Sequence, residues 1–274
     1  MKTSDDQSGA AADITKRSSF GIFRAVIFAL VLREVRGRFG SHRYGAFWLL
    51  FEPMAHIVAL MGIYAILRGH ANSGLDLSVF LVTGIIPFIL FKNISLKGME
   101  AVNANKGLFA YRQIKPIDTI VARGIVECAL MACVYGLILF GLGLWAGSDV
   151  SIHQPLRWGL VMFVGTVFSF GLGLIFCVVA EALPEAKTFI RLSYMPLYFL
   201  SGIIMPLWLI PEKFQKFMLW NPYLHLIDSL RSNVFEHYPK VVGISMWYAS
   251  FVALATLFVA MALYRVRRLN LVAV

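Results

Sequence analysis

The chain has 274 residues, of which 59% are hydrophobic and 15% are charged, and its mean hydropathy is +0.73. This composition excludes an ordinary soluble domain and indicates an integral membrane protein. The formal net charge is +10, but the basic residues gather beside apolar stretches without a soluble domain, so we do not expect nucleic-acid binding.

The N-terminal part predicts a tail followed by a membrane-surface helix. Residues 1–19 are mostly polar or small and should form a disordered cytoplasmic tail. In residues 20–40, apolar side chains recur at helical spacing, namely Phe20, Phe23, Ile27, Leu30 and Val31. With arginines at its end, this segment predicts an amphipathic helix in the cytosolic membrane interface. A purely structural anchor and a guide for an anionic substrate explain these residues equally well.

Six apolar stretches follow, at about 46–67, 79–104, 119–146, 158–181, 188–210 and 241–265. A helix needs about 20 mostly apolar residues to cross the hydrocarbon core. The second stretch reaches that length only if it continues past Lys92. Little sequence is left for a second domain, so we predict an all-α integral membrane protein whose residues 20–274 form one domain with six transmembrane helices.

The basic residues predict the orientation of these helices. Of the 25 Lys and Arg residues, 18 lie in four alternating segments: 1–45, 92–118, 181–191 and 265–274. The positive-inside rule places these segments, and therefore both termini, in the cytoplasm.

Two pairs of polar residues lie within predicted spans. Glu52 and His56 are four residues apart and share a helix face, as do Arg123 and Glu127. We expect Arg123 and Glu127 to pair with each other. For Glu52 and His56, a buried polar contact, a proton relay and a feature of a conduit remain open, although a structural role is favoured for both pairs.

The cytosolic stretch after the second span contains a candidate docking element. We expect residues 99–104 to end the helix, Asn105-Lys106-Gly107 to break it, and residues 108–112 to form a short amphipathic turn. Such a turn would suit a soluble partner, whereas a plain connector is the simpler explanation.

The fifth apolar stretch, 188–210, is interrupted by Pro196, Gly202 and Pro206. A short amphipathic segment at 212–220 and an Asn221-Pro222 turn follow it. This pattern predicts a broken helix at one membrane face, with its non-helical backbone shielded by protein or lining a cavity. A kinked span followed by an ordinary loop is the alternative.

Motifs of enzymatic sites are not found in the sequence. It contains no GxxxxGK[ST], HExxH or GxSxG motif, its histidines are scattered, and its three cysteines lie in apolar stretches without a CxxC pair. We therefore expect no enzyme, no catalytic residues, and no cofactor or metal bound by this chain.

Several motifs resemble the permease subunits of ABC exporters that carry polysaccharide across the bacterial inner membrane, above all the capsular polysaccharide (KpsM) type. They are VLREVRGRFGSHRYGAFWLLFEP at 31–53, TGIIPFILFKN at 83–93, KPIDTIVAR at 115–123, SGIIMPLWLIP at 201–211 and WNPYLHLIDSLRS at 220–232. The resemblance covers about residues 20–268.

This resemblance implies a homodimer around a central canyon in the inner membrane of a Gram-negative bacterium. It also implies a re-entrant fifth span and periplasmic gate helices within 211–240. A separate dimer of ATP-binding subunits, which carries ATP and Mg²⁺, would bind the cytosolic loop after the second span. A periplasmic polysaccharide co-polymerase and an outer-membrane export channel would receive a phospholipid-linked acidic polysaccharide.

Three groups of candidate site residues follow from this resemblance. Aromatic side chains could line a conduit for sugars, although Trp and Tyr also favour membrane interfaces and Phe also fills cores; these are Phe47, Trp48, Phe88, Tyr194, Tyr198 and Trp208. Arginines could receive phosphate or acidic sugars, namely Arg33, Arg36, Arg38 and Arg43. Coupling to the ATPase would involve Asn103, Asn105, Tyr111 and Arg112.

Two alternatives to capsule export remain. One is a permease of the same fold that exports O-antigen, teichoic acid or a small drug. The other is an ion-coupled secondary transporter, for which Glu52 or Glu127 would be essential.

Overall fold

The computed structural model describes residues 18–40, 45–68, 76–111 and 113–272. Within these residues the chain is helical and has no β-strand, as expected for an all-α protein. The α-helices are α1 Ser19–Gly40, α2 Gly45–Arg68, α3 Leu77–Ala101, α4 Pro116–Gly141, α5 Pro155–Ala182, α6 Ala186–Phe199, α7 Glu212–Met218, α8 Pro222–Val234 and α9 Met246–Arg267. Almost all of the predicted N-terminal tail lies outside the described residues.

Three shorter elements complete the path of the chain. The 3₁₀ helix Asn103–Ala110, called the connector helix below, follows α3. A π-helical turn, Leu142–Ala146, extends α4, and a 3₁₀ turn, Leu207–Leu209, lies between α6 and α7.

Helix α3 is the central helix of the fold. It begins at the N-cap Asp76, whose side chain accepts hydrogen bonds from the backbone N–H groups of Ser78 (2.8 Å) and Val79 (3.3 Å). Every residue from Val79 to Phe91 is buried. A helix that is apolar on all sides must be surrounded by other elements, and α3 contacts α2, α4, α5, α6 and α8.

Small residues let α3 and α5 approach closely. The Ser95 hydroxyl donates to the backbone oxygen of Ser169 across the crossing at 3.0 Å. A Cβ atom added to Gly98 would lie 3.2 Å from the Cα atom of Gly173. Close packing through small side chains is common between membrane helices, and here Ser169 and Gly173 of α5 meet a helix of the same chain.

Four helical segments in the described part of the chain are long and apolar enough to cross a membrane: Leu77–Ala101, Pro116–Ala146, Pro155–Ala182 and Met246–Arg267. Helix α2 has 24 residues, of which Pro53–Ile63 forms a shorter apolar stretch among those described.

The fifth predicted span is not one continuous helix. Helix α6 has 14 residues, which corresponds to about 21 Å at 1.5 Å per residue and falls short of a hydrocarbon core of about 30 Å. The chain leaves the helix after Phe199 and reaches a left-handed backbone conformation at Gly202 (φ 66°). The helix in the stretch 188–210 is thus interrupted after Phe199, which agrees with the broken helix expected there.

Candidate functional site

Five charged side chains meet where α1, α3 and α4 come together, and we call them the charge network. Arg38 on α1 forms ion pairs with Glu34 (3.1 Å) and with Glu127 on α4. Lys97 on α3 donates to Glu127 at 2.7 Å, and Arg123 on α4 donates to Glu34 at 3.2 Å. The Glu127 side chain is 0% exposed. A buried carboxylate requires such partners, because an uncompensated buried charge is strongly destabilising.

The network corrects the expected pairing of Arg123 with Glu127. Each residue binds charged groups of another helix instead, and Arg123 also donates to the backbone oxygen of Lys97 at 3.0 Å. The helical spacing of four identifies neighbours within one helix only. Here Glu34 is 89 positions from Arg123, so the network ties α1 to α4.

The arginines proposed to receive substrate occupy different environments. Arg38 is largely buried in the charge network. Arg33 is exposed and donates to the side-chain oxygen of Asn105 at 2.8 Å. Arg36 is exposed, and Arg43 lies outside the described residues. The geometry therefore leaves Arg33 and Arg36 accessible to an anionic group.

The connector helix is continuous over Asn103–Ala110, so the break expected at residues 105–107 is wrong. The buried amide of Asn105 explains this continuity. Its nitrogen donates to the backbone oxygen of Ala101 at 2.7 Å, while its oxygen accepts from Arg33 on α1. Two hydrogen bonds thus attach the connector helix to the end of α3 and to α1.

The four residues proposed for coupling are separated by this arrangement. Asn105 is buried, whereas Asn103 and Tyr111 are exposed. Arg112 lies outside the described residues. Just before the connector helix, Glu100 forms an ion pair with Arg191 on α6. The connector helix thus has a polar link to α1, the adjoining end of α3 has one to α6, and Asn103 and Tyr111 are presented at the surface.

Four of the six proposed conduit aromatics pack inside this chain. The ring of Phe88, 1% exposed, lies 5.4 Å from Tyr198 and 6.4 Å from Tyr194, measured between ring centroids. Trp208 lies 5.1 Å from Tyr238. Edge-to-face contacts of this kind are typical of aromatic cores. These contacts provide a packing role for all four side chains.

The remaining two conduit candidates, Phe47 and Trp48, lie on α2 and are exposed. Further along α2, a ring nitrogen of His56 is 2.6 Å from the hydroxyl of Tyr198 on α6. This contact agrees with the buried polar contact considered for His56, and it joins α2 to α6. The Glu52 side chain lies outside the described residues.

Arg231 on α8 fixes the backbone that follows α6. Its side chain is 2% exposed. Its guanidinium donates to the backbone oxygens of Gly202 (2.6 Å), Ile203 (2.8 Å) and Phe80 (3.2 Å), and it lies 3.6 Å from the centre of the Phe80 ring. The planar guanidinium with five donors suits such a task. The carbonyls of Gly202 and Ile203, which lie outside the helices, thus find a charged partner.

Other polar groups of α8 hold neighbouring segments. The side-chain nitrogen of Asn221 donates to Ser201 at 3.0 Å, and the same side chain caps α8. Tyr238 donates its hydroxyl proton to Asp228 at 2.8 Å. Burial raises the pKa of Asp228, and the hydrogen bond from Tyr238 opposes that shift.

His225 joins the ends of three helices. The backbone N–H of Ser245, the N-cap of α9, lies 3.1 Å from Nδ1 of His225 and can donate only to an unprotonated nitrogen. The Nε2–H group therefore donates to the backbone oxygen of Leu219, which ends α7, at 2.8 Å. Burial lowers the pKa of His225, so the neutral ring fits both contacts.

The contacts of Arg231, Asp228 and His225 were not expected from the sequence. The sequence did contain a signal for two of them, because Asp228 and Arg231 are charged residues in a stretch that follows an apolar run. Ionisable groups near the hydrocarbon region commonly have a functional role or a specific partner. The partners themselves lie far away in sequence, and the backbone oxygen of Phe80 is 151 positions from Arg231.

Among the described residues, no group of three or more His, Cys, Asp or Glu side chains could hold a metal ion. The candidate site consists of the charge network, the connector helix, the aromatic core and the α8 contacts.

Comparison with known proteins identifies the family. The profile of the ABC-2 type transporter family matches residues 25–235. The chain is 40% identical over 252 residues to the polysialic acid transport protein KpsM of Escherichia coli, which covers 92% of this chain and 96% of that protein.

Two further relatives are inner-membrane proteins of capsule polysaccharide export. The chain is 30% identical over 220 residues to CtrC of Neisseria meningitidis serogroup A, covering 78% of this chain and 80% of that protein. It is 28% identical over 222 residues to BexB of Haemophilus influenzae, covering 81% and 83% respectively. The chain is thus similar along most of its length to these polysaccharide transport and export proteins, and it belongs to the ABC-2 type transporter family.

Proposed function

We propose that this chain is the membrane-spanning permease subunit of an ATP-driven exporter that carries lipid-linked capsular polysaccharide across the bacterial inner membrane. The observation that carries the proposal is the 40% identity to a polysialic acid transport protein over 92% of the chain. The similar CtrC and BexB proteins support capsule polysaccharide as the substrate class.

The proposed topology has both termini in the cytoplasm and six membrane segments in residues 20–274, with α1 lying in the cytosolic interface. Two observations support it. The basic residues concentrate in alternating segments, and the short helices α6, α7 and α8 suit a re-entrant fifth segment followed by periplasmic gate helices. Two copies of the chain would enclose the conduit.

Separate ATP-binding subunits, carrying ATP and Mg²⁺, would dock on the connector helix. The exposed Asn103 and Tyr111 would meet them, together with Arg112. Movement of the connector helix would reach α1 through the Arg33–Asn105 hydrogen bond, and movement of the adjoining end of α3 would reach α6 through the Glu100–Arg191 ion pair. Export requires that the ATP-binding subunits bind the two states of the permease with different affinity.

The acidic glycan would be recognised at two places. Accessible arginines of α1, above all Arg33 and Arg36, would receive phosphate or carboxylate groups. The exposed rings of Phe47 and Trp48 are the conduit candidates that this chain leaves free of core packing. A periplasmic co-polymerase and an outer-membrane channel would accept the glycan after the crossing.

A permease of the same family that exports another glycan or a small drug is the competing proposal. An ion-coupled secondary transporter is disfavoured, because the chain belongs to the ABC-2 type transporter family. In addition, Glu127 already has two cationic partners in the charge network.

Deletion of the gene in its host, followed by localisation of the glycan, tests the proposal. Polysaccharide that accumulates inside the cell and disappears from the surface is the expected result, and the wild-type gene should restore the coat. An intact surface coat without trapped glycan would refute capsule export and favour a different substrate.

A further inference from the structure

A groove of about 460 Å³ lies between α1 and the segment that contains the end of the connector helix. This volume falls within the range of small-ligand pockets, about 300–1,000 Å³. On α1 the groove is lined by Ile22, Ala25, Val26, Ala29, Leu30 and Arg33; on the other side it is lined by Leu108, Tyr111, Gln113 and Ile114. The α1 residues share one helix face, because they recur at intervals of three and four.

The lining of the groove has two parts of different chemistry. Most of its length is hydrocarbon, and the small side chains of Ala25 and Ala29 remain exposed. Three groups can form polar contacts, namely the Arg33 guanidinium, the Tyr111 hydroxyl and the Gln113 amide. Among the described residues, no acidic side chain lines the groove. The ligand that matches this lining is a long apolar molecule with an anionic end.

Helix α1 also carries exposed apolar side chains that do not line the groove. They include Phe20, Phe28 and Leu32. An interfacial helix needs one apolar face in the acyl region, and these three side chains can provide it. The groove face of α1 is then a second apolar face, which a different molecule must shield from water.

We propose that the groove binds an anionic glycerophospholipid of the surrounding bilayer, with an acyl chain along Ala25 and Ala29 and the phosphate at Arg33. The proposal rests on the interfacial placement of α1. Arg33 has five N–H donors, of which one binds Asn105, and a guanidinium can bind phosphate with two parallel hydrogen bonds. The lipid would contact α1 and the connector helix together and so support the segment that docks the ATP-binding subunit.

Lipid retention by the purified full-length chain tests this site. Native mass spectrometry would compare phosphatidylglycerol with phosphatidylcholine that carries the same acyl chains. The wild-type chain should retain phosphatidylglycerol about fivefold more strongly, which is the factor that one basic residue contributes at an anionic membrane surface. Arg33→Gln should remove this preference, and Ala29→Leu should weaken retention of both lipids because the added methyl groups fill the groove.

Arg24→Gln is the matched control, since Arg24 is an exposed arginine of α1 that does not line the groove. It should keep the preference. Equal retention of both lipids by the wild-type chain would overturn the proposal, as would equal losses in Arg33→Gln and Arg24→Gln.

The competing occupant is the ATP-binding subunit itself. If adding that purified subunit displaces bound phosphatidylglycerol, the groove is a protein-docking surface and the lipid proposal fails. Retention of the lipid in the complex is the expected result. Because no step of this experiment measures export, its failure leaves the proposed transport function unaffected.

Discussion

Replacing Arg231 with lysine should destabilise the permease even though the positive charge is kept. The guanidinium reaches three backbone oxygens on two segments, those of Gly202, Ile203 and Phe80. An ammonium group is compact and cannot reproduce this fork. We expect the lysine variant to lose two of the three hydrogen bonds and to leave their carbonyls buried without a donor.

The magnitude follows from those two bonds. Hydrogen bonds to a charged group contribute about 1.5–3 kcal/mol each, so the free energy of unfolding should fall by at least about 3 kcal/mol. For a chain of this size, about 2–4 °C per kcal/mol predicts a melting temperature lower by about 6–12 °C.

Thermal unfolding of the purified chain in detergent would measure this change. Arg157→Lys is the matched control, because Arg157 is exposed on α5 and bonds only Gln154 among the contacts described for it. Its effect should stay within about 0.5 kcal/mol. If Arg231→Lys melts at the same temperature as Arg157→Lys, the three carbonyl contacts do not hold the segment after α6.

Four further predictions concern other parts of the molecule. Glu127→Gln removes a carboxylate that faces Arg38 and Lys97, so thermal unfolding should show a free energy of unfolding lower by about 3–5 kcal/mol. The variant protein that still folds should keep ATP-dependent export. A complete loss of export at normal abundance would contradict the structural role. Tyr111→Ala should leave insertion unchanged and uncouple ATP hydrolysis from export, as measured by the ratio of the two rates, and an unchanged ratio would argue against docking at the connector helix. Burial lowers the pKa of His225, so the unfolded chain binds a proton at this side chain more readily than the folded chain does below about pH 6.5. The free energy of unfolding should therefore be full above that pH and fall as the pH decreases toward the folded-state pKa. His225→Gln should flatten this pH dependence, whereas parallel stability curves for the variant and the wild type would assign the dependence to other groups. Trp208→Ala should lower export and abundance in parallel, as measured by glycan export and immunoblots, because the ring packs against Tyr238; a larger loss of export than of abundance would instead indicate contact with the glycan.

Local sequence signals predicted the interruption of the fifth stretch and the turn before α8. Pro196, Gly202 and Pro206 indicated an interrupted fifth stretch, and the chain does leave the helix after Phe199. The Asn221-Pro222 pair indicated a turn, and Asn221 caps α8 while Pro222 begins it. Such features depend on a few neighbouring residues, so the sequence contains them directly.

Contacts between distant segments could not be predicted in the same way. Arg123 and Glu127 have ideal spacing for a pair, yet α1 and α3 bring other charges to them. Gly107 suggested a break, but the Asn105 amide holds the connector helix through Ala101 and Arg33. In both cases a partner from another helix outweighs the local preference.

The crossing of α3 and α5 has a consequence for the transport cycle. At Gly98 and Gly173 the two backbones touch without side chains between them, and Ser95 bonds across the same crossing. Such a contact offers little room for sliding, because closely packed interiors transmit strain rather than absorb it. The α3–α5 pair is therefore suited to act as a stationary frame, to which the Glu100–Arg191 ion pair ties α6 and against which the connector helix can move.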